Sequence, residues 1–204
     1  MFELFADSTP NARKISIMLE EINESYDLTL INLNKGEQFN DEFKKISPFS
    51  KIPVLRHNKK TIFESGAILI YLANLSGEFY GSNQSLTTQW LMAQMGYIGP
   101  MLGQHHQFHH YNPGKSDFGE DRYFKIAETI YKNLDDHLSI NEYLANEYSI
   151  ADIATFPWIA RHPIHDIGLN KYINLLRWYN QISLRPAVLK GYDLFKDGSI
   201  PPPA

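Results

Sequence analysis

The stretch KIPVLRHNKKTIFESGAILIYLANL, residues 51–75, holds two short apolar runs followed at once by a longer one. Ile52 to Leu55 and Thr61 to Phe63 are joined by the polar His57-Asn58-Lys59-Lys60, so they read as a hairpin and hence as an antiparallel pair. Gly66 to Leu75 is too long for another short strand and reads as a helix, with Ser65 placed to cap it. Toward the N-terminus, Phe2 to Ala6 is an apolar run that ends at the turn-prone Asp7-Ser8. Ile15, Met18, Leu19 and Ile22 then recur at the i, i+3, i+4, i+7 spacing of a helix face, with Pro10 near the first helical position. Leu28 to Ile31 reads as a second strand, Asn34 to Gln38 as a loop, and Glu42 to Lys45 as a short helix.

The order β-α-β-α-β-β-α predicts a thioredoxin-like α/β domain with a mixed sheet over residues 1–80. Gly81-Ser82-Asn83-Gln84-Ser85 reads as a linker, because strand character disappears after it. Residues 86–204 form an all-helical domain in this reading. Its helices run from about Thr87 to His106, from Glu120 to Leu138 with Ile126, Ile130, Leu134 and His137 or Leu138 along one face, from Ser149, and from Lys171 to Leu184. Ser149 and Asp152 fit a capping box, with Tyr148 and Ile153 as its hydrophobic staple; that pairing explains them structurally and removes them as a catalytic pair. Pro186 is read as the stop of the last helix, and Pro201 to Pro203 as non-helical.

Bulk composition narrows the function classes. Nineteen Lys and Arg against 23 Asp and Glu give a formal net charge of -4 with the cations scattered, so no nucleic-acid-binding face is expected. No apolar run approaches a membrane span, and Met1-Phe2-Glu3-Leu4 lacks a basic region before a hydrophobic core, so a cytoplasmic protein without membrane partners is expected. The chain has no cysteine, which removes disulfides, zinc–thiolate sites and cysteine nucleophiles. Any sulfur chemistry must use a small-molecule thiol. There is no GxGxxG, P-loop or serine-hydrolase elbow.

Three places can carry chemistry. Ser8-Thr9-Pro10-Asn11 lies where a strand ends and a helix begins, so backbone N–H groups and the positive helix end converge there. A thiol with a free pKa of about 8.5 is mostly protonated at neutral pH, and donation from the Thr9 hydroxyl and the Asn11 amide favours its thiolate. Thr9 as a plain helix cap accounts for the same residues. At Lys51-Ile52-Pro53-Val54 a proline opens a strand; a cis bond would leave the Ile52 backbone free to pair with an extended peptide, whereas an ordinary trans proline would mark only a strand start. At Phe63-Glu64-Ser65-Gly66 a strand runs into a helix N-terminus, which suits a carboxylate at Ser65 and an ammonium at Glu64, the two charges of an α-amino-acid end. A capped helix beside a solvated Glu64 is the structural alternative.

Thr9-Pro10-Asn11, Lys35-Gly36-Glu37-Gln38-Phe39, Lys51-Ile52-Pro53 and Phe63 to Leu72, continued by Gly99 to Gln104 and Ser149 to Ala154, resemble the glutathione S-transferases, and most of all the bacterial Nu class of disulfide-bond oxidoreductases and its fungal nitrogen-regulator relatives. The resemblance implies a homodimer of two-domain subunits, each with a thioredoxin-like glutathione-binding domain and a helical domain for the second substrate and dimerisation. It implies Thr9 and Asn11 near the glutathione sulfur, and Gln38, Lys51, Ile52, Pro53, Glu64 and Ser65 around the tripeptide. Arg122 matches an arginine that in the Nu class reaches glutathione from the neighbouring subunit; a surface charge on a helix is the alternative. Phe49 departs from the pattern, because Nu-type sequences carry a polar residue such as Asn there.

The expected activity is therefore transfer of glutathione to an electrophile, or glutathione-dependent reduction of a disulfide or hydroperoxide, with no protein cysteine. The rival expectation is a binding or regulatory protein of the same fold with little turnover. Isomerisation of a small diketo acid through glutathione addition is a third route. His105, His106, His109 and His110 invite a metal reading, but no carboxylate or cysteine set completes a site, so no metal is expected; Gln104 and His105 are instead candidates to line the second-substrate cleft.

Overall fold

The computed structural model describes residues 1–196 and 200–202. Two compact units result: one gathers Met1–Tyr80 and the helix that begins at Pro186, the other Gly81–Arg185.

In the first unit β1 (Phe2–Ala6) pairs in parallel with β2 (Tyr26–Leu30) and antiparallel with β3 (Val54–His57), which pairs antiparallel with β4 (Lys60–Phe63). The resulting order β2-β1-β3-β4 is a mixed sheet, and the unit is thioredoxin-like. Alternation along β1 sends Phe5 to one face, where it meets Ile31, Val54 and Phe43 of the short α2 (Asp41–Lys44). Phe2, Leu4 and Ala6 point to the opposite face, which is also buried. The two long helices of this unit, α1 (Pro10–Glu21) and α3 (Ser65–Ser76), pack on each other.

The second unit is helical: α4 (Gln84–Ala93), α5 (Gly99–His105), α6 (Asp117–Leu138), α7 (Ile150–Ile159), α8 (His162–His165) and α9 (Ile173–Ser183). The expected helix from Thr87 is a single helical run from Gln84 to Tyr111, interrupted by wide π turns at Gln94–Ile98 and His106–Tyr111. The first has a local cause. Pro100 has no N–H for the carbonyl four residues back, and the ladder is carried instead by the Gly99 N–H reaching the Gln94 carbonyl. The Ser149–Asp152 capping box opens α7 as the sequence predicts. Asp152 is fully buried and accepts from the Leu144 and Ser149 N–H groups at 3.0 and 3.1 Å and from Trp178 Nε1 at 2.8 Å, so one carboxylate ties α7 to α9 and to the loop before it.

Two helices escape the sequence reading. α8 is a single turn. α10 (Pro186–Asp193) begins at the proline expected only to end α9, because a missing N–H costs nothing at a first helical position. It packs closely on α1: Ser16 Oγ donates to the Gly191 carbonyl at 2.8 Å, Arg13 donates to the Tyr192 carbonyl at 2.9 Å, and a Cβ at Gly191 would lie 2.8 Å from the Ile17 nitrogen. Pro201 and Pro202 are not helical, as expected; Pro203 lies outside the described residues.

Candidate active site

The first unit contains a cleft lined by Asn11, Ser47, Phe49, Lys51, Ile52, Pro53, Phe63, Glu64 and Ser65. Three chain segments build it, each from the end of a regular element.

The first is the start of α1. Thr9 is its N-cap, in extended conformation, and Thr9 Oγ1 accepts from the Ala12 N–H at 3.2 Å. A hydroxyl that accepts still has a hydrogen to donate, so capping and thiolate stabilisation are compatible roles. Asn11, two residues on, is half-buried and lines the cleft.

The second is the loop from Ser47 to Pro53. Ser47 Oγ accepts from the Lys51 N–H at 2.9 Å and donates to the Lys51 carbonyl at 2.7 Å, closing a tight loop whose Ser50 has φ 54°. This latch presents Phe49, which is 72% exposed, at the cleft. Ile52–Pro53 is cis.

The third is the junction of β4 and α3. Glu64 has φ 69° and ψ 118°, a backbone conformation that costs a non-glycine residue on the order of 1–3 kcal/mol. The turn carries the chain from strand to helix within one residue and leaves the Glu64 side chain exposed and Ser65 buried at the N-terminus of α3. Lys14, buried on α1, donates to Ser65 Oγ at 3.4 Å.

Asn11, Lys51, Ile52, Pro53, Glu64 and Ser65 are thus brought to one cleft. Gln38 sits on the 3-10 turn Glu37–Phe39 of the same unit, outside that lining, with its side-chain oxygen buried and unpartnered. Arg122 lies on α6 in the helical unit, exposed, with its guanidinium 6.0 Å from the Tyr123 ring centroid. Ser47 and Lys14 are not among the residues expected at the site. The Ser47–Lys51 spacing was a usable signal; the reach of Lys14 to a residue 51 positions away was not.

The histidines of the helical unit form something other than a ligand shell. His105 is fully buried and its Nε2–H donates to the His165 carbonyl at 2.8 Å, so it is a core residue and not a lining residue of an open cleft. His106 stacks on His165 with centroids 4.8 Å apart and His105 on His109 at the same distance. Among the described residues no group of three or more His, Asp or Glu is arranged to hold a metal. Nor is any helix among them long and apolar enough to cross a membrane.

Comparison with known proteins bears on both units. The family models for the glutathione S-transferase N-terminal and C-terminal domains match residues 2–74 and 115–186. The disulfide-bond oxidoreductase YfcG of Escherichia coli is 39% identical over 198 residues, covering 92% of each chain. The chain belongs to the glutathione S-transferase family. Another relative, the disulfide-bond oxidoreductase YghU of the same organism, is 33% identical over 93% of this chain and 73% of its own. Among solved structures, a Pseudomonas putida glutathione transferase with one glutathione disulfide bound per subunit superposes with a TM-score of 0.90 at 36% identity, over 95% of this chain and 91% of that chain. A Burkholderia graminis glutathione transferase with two glutathione molecules per subunit gives 0.89 at 36% identity, over 97% and 89%.

Proposed function

We propose that this protein binds glutathione in the cleft of its first unit and uses it to reduce disulfides, by thiolate exchange between small molecules. The observation that carries the reading is the convergence on one cleft of the α1 start, with Asn11, and the α3 start, with Glu64 and Ser65, in a chain without cysteine. The amino-acid end of glutathione is assigned to Glu64 and Ser65: an ammonium suits the exposed carboxylate and a carboxylate suits a helix N-terminus. Its backbone is assigned to Lys51, Ile52 and Pro53, with Gln38 as a further contact. Its sulfur is assigned to Thr9 and Asn11, whose donors stabilise the thiolate; each unit of thiol pKa lowered corresponds to about 1.4 kcal/mol. Arg122 is assigned to a partner subunit's glutathione, which makes the working species a homodimer.

In the reaction, a glutathione thiolate attacks one sulfur of the disulfide substrate and expels the other as thiolate, giving a mixed disulfide. A second glutathione attacks its own half of that mixed disulfide, so two glutathiones are oxidised to one glutathione disulfide and the substrate gains two electrons and two protons. The related structures with a glutathione disulfide or two glutathione molecules per subunit support this reading over simple conjugation. Hydroperoxide reduction consumes the same two thiols. Such an enzyme belongs in the cytoplasm, where glutathione is kept reduced.

Calorimetric titration with reduced and oxidised glutathione, beside a disulfide-reductase assay, tests the proposal. Two equivalents of the reduced form, or tight binding of the oxidised form, together with turnover supports it. One equivalent with conjugating activity alone selects the transferase route, and binding without turnover selects the regulatory reading.

A further inference from the structure

Lys14 lies in the stretch of α1, Ala12–Leu19, that is buried on all sides, and is only 1% exposed. A buried amine is costly unless charge and hydrogen bonds compensate it, and an aliphatic side chain would fill the same space at no such cost. Burial drives its pKa well below the usual lysine value, while the Glu64 carboxylate raises it. Lys14 does not line the cleft, yet two groups that act on it do: Ser65 Oγ, 3.4 Å from its Nζ, and Glu64. These are the two residues assigned above to the amino-acid end of glutathione.

We propose that Lys14 is a positioning residue for that end of the cleft, holding the Ser65 hydroxyl in place through its amine. The inference rests on the reading that the cleft binds glutathione. It gives Lys14 a role in ligand binding that is separate from its role in the core, and it separates the clamp from the sulfur chemistry at Thr9 and Asn11. Loss of Lys14 should therefore weaken binding without slowing the chemical step.

The test compares wild type, Lys14→Met, Ser65→Ala and the double variant by thermal melting, by calorimetry with reduced glutathione, and by steady-state kinetics. In Lys14→Met an apolar chain of similar length replaces the amine, so the melting temperature holds or rises. Its glutathione Kd and KM rise about tenfold or more, and kcat changes less than about twofold. The double variant binds no more weakly than Ser65→Ala, because the two residues act through one contact. Lys14→Gln, which keeps a donor, is the second variant and recovers part of the affinity. Wild-type affinity in Lys14→Met overturns the inference and leaves the glutathione reading standing; so do independent, multiplying losses in the double variant. If Lys14→Met and Lys14→Gln both fail to fold, Lys14 is structural and the inference falls. Failure of wild type to bind glutathione removes the reading and the inference together.

Discussion

Ser47 Oγ holds both backbone polar groups of Lys51, its N–H at 2.9 Å and its carbonyl at 2.7 Å. One buried hydroxyl thereby fixes the loop that leads into Ile52 and Pro53, and with it the position of Phe49 at the cleft. Ser47→Ala leaves both Lys51 groups without their partner at a cost of about 1–2 kcal/mol. Chemical denaturation should show that loss, and calorimetry should show weaker glutathione binding, because the rail for the tripeptide backbone loosens. Unchanged binding with lowered stability would detach this loop from the ligand.

Thr9 has two roles that substitution can separate. Thr9→Ser keeps the cap and the donor and should retain activity within about tenfold; Thr9→Ala removes both, costing about 1 kcal/mol of stability and about 10²–10³ in kcat if the hydroxyl stabilises the developing charge. The thiolate absorbance of bound glutathione, followed against pH, should move to higher pH in Thr9→Ala and in Asn11→Ala. A chain in which neither substitution alters turnover is a binding protein.

Phe49 presents an exposed ring to the cleft, so its effect should fall on binding there. Phe49→Asn should change the glutathione Kd by less than about 1 kcal/mol, the cost typical of a surface exchange, and leave kcat unaltered. A large fall in kcat would place Phe49 near the sulfur.

Asp152 organises the helical unit. Asp152→Ala strips the partner from the Leu144 N–H and the Trp178 indole N–H inside the core, a loss of about 3–5 kcal/mol. The expected result is a large drop in unfolding midpoint, with correctly folded material still binding glutathione. A small loss would mean that the freed donors find other acceptors.

The buried histidines make stability pH-dependent. Burial lowers the pKa values of His105, His106, His162 and His165, with His106 reaching about 3 under the further influence of Arg161, His105 and His110. Unfolded histidines bind protons below about 6.5, and these folded ones bind them less readily. Folding stability is therefore intact above that pH and falls as the pH drops, by up to about 1.4 kcal/mol per pH unit for each such histidine. Asp152 opposes the trend. Its folded pKa is raised to about 6, so between the ordinary carboxylate value and that point its contribution declines as pH rises. Denaturant unfolding at successive pH values should show net acid lability, and His106→Phe should reduce the slope. A flat profile would mean that the buried rings accept protons in place.

Much of this molecule is legible one segment at a time. The strand at Phe2–Ala6, the helix from Pro10 and the capping box at Ser149 and Asp152 each follow from contacts within a few residues, so periodicity and caps reveal them. The hairpin strands are legible in kind but shifted in place: β3 begins at Val54, beyond the proline, because Pro53 has no N–H to give to a ladder. α10 is not legible locally, because a proline has the same appearance at the end of one helix and at the start of the next, and what secures α10 is its close fit against α1.

By itself the sequence determined the order of elements in the first eighty residues, the absence of any protein thiol and the residue types at Thr9, Asn11, Glu64 and Ser65, because these are properties of composition and local hydrogen bonding. Tertiary structure decided which of those residues share a cleft, that Lys14 reaches Ser65 across 51 positions, and that His105 is core. The physical reason is that burial and long-range polar contacts depend on how the elements pack together, and no local pattern in the chain encodes that packing.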